Sequence, residues 1–104
     1  MELFHLRLPN RVNLLGIARA AARAAGQEFH FPEKATAGME LVVEEAASNV
    51  LRHAYSPNEE AYYNISASIE EDALVFRVQD KGMPMGSFDL PQYDPMNPDS
   101  KGLG

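Results

Sequence analysis

No cysteine occurs in the 104 residues, which excludes disulfides and thiolate metal sites and fits a reducing compartment. Tryptophan is absent too, and no apolar run approaches the ~20 residues that a bilayer-crossing helix needs. The opening Met1-Glu2-Leu3-Phe4 lacks the basic and continuously apolar segments of a secretion signal, so a cytoplasmic location is expected. Positive charge is scarce: nine Lys and Arg against fifteen Asp and Glu leave a net charge of −6. That balance argues against broad contact with nucleic acid or with an anionic membrane. A phosphorylated ligand would have to find local backbone donors or a cation. What is present, 45% hydrophobic and 23% charged residues, suits one soluble domain spanning 1–104 with one modest core.

Leu6 and Leu8 alternate with His5 and Arg7 ahead of Pro9-Asn10, which predicts a strand over 3–8, with Asn10 a candidate N-cap for the next element. Val12, Leu15, Ala18, Ala22 and Ala25 recur at helical spacing, and Gly26 reads as the stop. So many alanines imply close packing against a second helix, with Arg11, Arg19 and Arg23 on the wet side. Gln27 to Pro32 is a connection whose Phe29 and Phe31 plug the core, and Pro32 and Glu33 suit the first turn of a helix. After Ser56-Pro57-Asn58 the period changes to two. Tyr63, Ile65, Ala67 and Ile69 share one face, Leu74, Phe76 and Val78 share another, and Glu70-Glu71-Asp72 turns the chain between them. The expectation is α+β: a two-layer sandwich with a mostly antiparallel sheet covered on one face by helices.

Three stretches carry candidate chemistry. In the central helix Met39, Val43, Ala46, Val50 and Ala54 form an apolar stripe, with Glu45 and Asn49 one turn apart on its border and His53 a further turn along. An ordinary amphipathic helix with a polar edge has the same pattern. Asp80 keeps the inward parity of Leu74, Phe76 and Val78 and is followed by Gly82 and Pro84. An inward carboxylate needs a partner, and a turn Asp accepting backbone N–H bonds is one way to supply it. Met85 to Lys101 shows no period and holds Pro91, Pro95 and Pro98, the pattern of a functional lid or a disordered loop. It ends in Gly102-Leu103-Gly104, a Gly-x-Gly that can bring backbone N–H groups to phosphate oxygens.

Glu45-x-x-x-Asn49 on a helix, Asp80-x-Gly82-x-Pro84 after a strand and Gly102-x-Gly104 after a loop stand in a fixed order. This resembles the GHKL (Bergerat-fold) ATP-binding superfamily of gyrase, histidine kinases and mismatch-repair ATPases. Within it the chain is most similar to the short bacterial anti-sigma-factor serine kinases, through Glu45–Tyr55, the hairpin after it and Val78–Pro84. The likeness runs from about Leu3 to Gly104. It implies ATP and Mg²⁺ as cofactors, with Asn49 as the Mg²⁺ ligand and Glu45 as general base towards the attacking hydroxyl. Asp80 would accept a hydrogen bond from the adenine amino group, Gly82 would leave room for the ring, and Met83 and Met85 would line the base pocket. Lys101, Gly102 and Gly104 would face the phosphates across a lid over 85–101. His53 matches a position often occupied by His in the subgroup, either as a ligand or bonded to backbone.

The same resemblance implies a serine on an anti-anti-sigma (STAS-type) protein as substrate, a sigma factor as second partner and a homodimer near the first strand. In the family Gly102-Leu103-Gly104 would open a further helix and then a final strand, so a C-terminally truncated domain is expected. A non-catalytic nucleotide-binding partner-switching module and a catalytic piece of a histidine kinase are the alternatives. The start of the chain directly on its first strand counts against the latter, and Glu45 counts against the former.

Overall fold

The computed structural model describes residues 1–53, 62–78 and 84–91. Four strands, β1 (Glu2–Pro9), β2 (Tyr62–Glu70), β3 (Ala73–Val78) and β4 (Pro84–Asp89), form one antiparallel sheet in the order β1-β2-β3-β4. Between β1 and β2 the chain makes a 3-10 turn (Val12–Leu14) and two helices, α1 (Leu15–Glu28) and α2 (Glu33–His53), which pack on one face of the sheet. This is the expected two-layer α+β sandwich. No helix among the described residues is long and apolar enough to cross a membrane.

Register follows the period-two pattern. Leu8 pairs with Tyr63, Leu6 with Ile65 and Phe4 with Ala67, while β3 sets Phe76 opposite Ala67 and Leu74 opposite Ile69. Alternation sends these residues to the helix side, where Leu8, Tyr63, Ile65, Ala67, Leu74 and Phe76 are buried. His5 and Arg7 fall on the other face and are exposed. The β2–β3 turn is two residues long, with Glu71 at φ 49° and Asp72 at φ 64°. Positive φ at both central positions is the type I′ geometry that matches strand twist. Val75 is buried although it lies on the outer face, because β3 is an interior strand and Ser68 and Ser87 flank it.

The helices depart from expectation in several places. Gly26 is not a stop. It lies inside α1 facing α2, where an added Cβ would sit 2.8 Å from Met39 Sδ and 3.0 Å from Thr36 Oγ1. The helix instead ends at His30 in the left-handed region (φ 62°), with Phe31 N–H donating to Gly26 C=O and His30 N–H to Gln27 C=O. That is a Schellman closure with histidine at the usual glycine position, and it carries Phe31 onto the core. At the other end Arg11, not Asn10, occupies the N-cap of the 3-10 turn, and Val12 is 73% exposed rather than part of the α1 stripe.

In α2 the buried residues are Thr36, Met39, Val43 and Ala47, with Val50 and Leu51 partly buried beyond them. The stripe therefore passes through Ala47 rather than Ala46, which is rotated by ~100° towards the flank. Arg23 is less wet than expected. Its guanidinium donates to both Glu33 carboxylate oxygens at 2.8 and 2.9 Å, and its Nε donates to Glu40 at 2.7 Å, which ties α1 to α2. The stretch Pro84–Asp89 is a strand, although the sequence suggested that a loop begins at Met85. Its Phe88 meets Phe76 edge to face at 6.1 Å.

Candidate nucleotide site on the flank of α2

One turn of α2 spans four residues, so Val42, Ala46 and Asn49 share a flank, with Glu45 beside them. These four side chains line one recess of about 270 Å³. Two observations orient it. Glu44 pairs with Arg19, and Glu40 with Arg23, so that side of α2 faces α1. The recess lies on the other side, above β4, where Gly86 brings the backbone so near that an added Cβ would stand 3.0 Å from Val42 Cγ1. Glycine at residue 86 thus lets β4 pack closely against Val42, one of the residues that line the recess.

Glu45 and Asn49 are both exposed, and both open to this recess. Asn49 Oδ1 accepts a hydrogen bond from Arg52 Nη2 at 2.5 Å. Arg52 also borders a second recess of about 260 Å³ with Val12, Leu15, Ser48 and Leu51, between the start of α1 and the end of α2. The sequence alone gives Arg52 no role at the site. The i, i+3 spacing from Asn49 was the available signal for the contact.

His53 is the last residue of α2 and Met85 lies in β4. Asp80, Gly82, Met83, Lys101, Gly102 and Gly104 lie outside the described residues, as does most of the lid expected over 85–101. Of the predicted site, the structure thus brings together Glu45 and Asn49, and adds Val42, Ala46, Gly86 and Arg52.

Among the described residues no group of three or more His, Asp or Glu side chains could hold a metal ion by itself. An exposed amide oxygen beside a carboxylate at an open recess fits Mg²⁺, which keeps several waters and uses few protein ligands alongside phosphate oxygens. At such a site the phosphate oxygens of a nucleotide would supply further ligands.

The profile of the histidine kinase-like ATPase domain matches residues 8–104. The chain belongs to that family. It is also similar to proteins named serine-protein kinase RsbW. With that of Oceanobacillus iheyensis it is 28% identical over 89 residues, covering 86% of this chain and 54% of the relative. The proteins of Listeria innocua and Listeria monocytogenes are each 29% identical over 85 residues, 82% of this chain and 52% of theirs. The chain spans about half the length of these curated relatives. Two helices over a four-stranded antiparallel sheet agree with the expected GHKL architecture, and membership of the histidine kinase-like ATPase family agrees with the resemblance read from Glu45, Asn49 and Asp80.

Proposed function

We propose that the protein carrying this chain is an ATP-dependent serine kinase that phosphorylates a STAS-type anti-anti-sigma protein and otherwise holds a sigma factor inactive. The observation that carries the proposal is the shared recess of Glu45 and Asn49, in a member of the histidine kinase-like ATPase family similar to named serine-protein kinases.

Phosphoryl transfer needs positioning and charge neutralisation more than covalent catalysis. Glu45 acts as general base: its carboxylate takes the proton of a serine hydroxyl as that oxygen attacks the γ-phosphorus, and ADP leaves. Asn49 would hold Mg²⁺, which would supply neutralisation of the phosphate charge. Val42 and Ala46 wall the recess and exclude water from one side. Asp80, Gly82, Met83 and Met85 are assigned to the adenine, and His53, Lys101, Gly102 and Gly104 to the phosphate end. The acidic net charge supports a protein partner over nucleic acid, and β1, one of the two outer strands among the described residues, offers an edge to a second copy. The cytoplasm is the proposed location.

The experiment is incubation of the full-length protein and a cognate STAS protein with radiolabelled Mg·ATP. Label on a serine of the STAS protein is the expected result. Nucleotide binding without any label on the partner would replace the kinase by a non-catalytic module.

A further inference from the structure

The oxygen that Asn49 would offer to a metal is already engaged. Arg52 donates to Asn49 Oδ1 from Nη2 at 2.5 Å, and both side chains are exposed. We propose that this contact is a latch on the metal position: Arg52 competes with a divalent cation for Asn49 Oδ1, and metal-nucleotide binding on this flank requires the guanidinium to let go. The inference rests on the reading of Asn49 as the cation ligand.

Two physical points support it. The donor is ionised, and charge-assisted hydrogen bonds are shorter and stronger than neutral ones. A Mg²⁺ ion sits about 2.0–2.1 Å from an oxygen ligand, so cation and guanidinium on one amide oxygen would stand within about 5 Å of each other. Two positive groups at that range repel, and the ion dislikes imperfect geometry. The amide oxygen therefore serves one of them well at a time.

The latch is soft. An exposed contact between residues three apart on a helix is worth little on its own, so it tunes the metal response rather than blocking it. Arg52 also has somewhere to go, since it already borders the second recess with Val12, Leu15 and Leu51 on the other side of Ser48. A displaced side chain can lie over that space and leave Asn49 Oδ1 free towards the first recess, which Asn49 already lines.

The test uses full-length protein, ADP and MgCl₂, with calorimetry of ADP at a series of Mg²⁺ concentrations. Arg52→Ala is expected to lower the Mg²⁺ half-saturation point about threefold or more, the scale of one hydrogen bond, while ADP affinity in EDTA changes less. Arg52→Gln, which keeps a donor but not the charge, is expected to fall between. In metal-free protein both variants are expected to shift the NMR signals of the Asn49 side-chain amide. A half-saturation point that is unchanged or higher in Arg52→Ala overturns the latch. Asn49→Ala separates the two levels. If it abolishes the Mg²⁺ response while Arg52→Ala has no effect, the latch alone fails. If it keeps the wild-type Mg²⁺ response, the metal assignment of Asn49 fails and takes the latch with it.

Discussion

Gly86 of β4 and Val42 of α2 approach so closely that a methyl group on residue 86 would stand 3.0 Å from Val42 Cγ1 and 3.2 Å from Phe88 Cε2. The contact fixes the distance between the sheet and the helix that carries Glu45 and Asn49. Val42 is β-branched and stiff within a helix, so it does not turn aside easily.

Gly86→Ala is therefore expected to destabilise the fold. Overpacking costs typically 1–3 kcal/mol, and the entropy removed from the unfolded chain returns about half to one, so a net loss of about 1 kcal/mol is predicted. A urea melt of the variant checks this. The midpoint should fall with an unchanged slope, and nucleotide affinity should fall with it because Val42 walls the recess.

Acid sensitivity should centre on the outer face of the sheet. Arg77 and Ser68 both donate to the Glu70 carboxylate and hold its pKa down at about 2, against an ordinary value of 4.5. A carboxylate with a depressed folded pKa adds stability that is fully present above its unfolded pKa and is lost as pH falls through the folded one. Stability should therefore decline as pH drops from about 4.5 towards 2. Glu33, held down by Arg23, adds to the same trend. Thermal melts across this range should show a flatter acid limb for Glu70→Gln than for the wild type.

Tyr63 is fully buried, and burial pushes its hydroxyl pKa up. Its hydroxyl has no hydrogen-bond partner among the described residues. Removing a buried, unsatisfied polar group also removes its desolvation penalty. Tyr63→Phe should leave stability unchanged or raise it by up to about 1 kcal/mol, in contrast to the loss usual for core substitutions. Equilibrium denaturation of the two proteins distinguishes the outcomes.

Helix and strand periods were legible wherever apolar residues are large and regularly spaced, as in Ile65, Leu74 and Phe76 of the hairpin. They were less legible in α2, because Ala46 and Ala47 are chemically identical and only packing decides which faces inward. Gly26 looked like a terminator because nothing local reveals that Thr36 and Met39 press against it. His30 hid the true end of α1 by taking a conformation that glycine usually supplies. β4 was concealed by its own composition, since Pro84 and Gly86 in six residues resemble a turn, and its pairing with β3 is a long-range fact. At the site, Glu45 and Asn49 could be paired from helical spacing alone. Val42 and Gly86 could not, because their meeting depends on where the sheet places β4.

The central claim is that the flank of α2 holds nucleotide for transfer, with Glu45 acting on the serine hydroxyl. Parallel measurement of serine transfer and ADP affinity in full-length wild-type protein and Glu45→Gln tests it most directly. The account predicts a loss of at least about 100-fold in transfer, the usual scale of a general base, with ADP affinity nearly unchanged. Transfer at the wild-type rate in Glu45→Gln would contradict it.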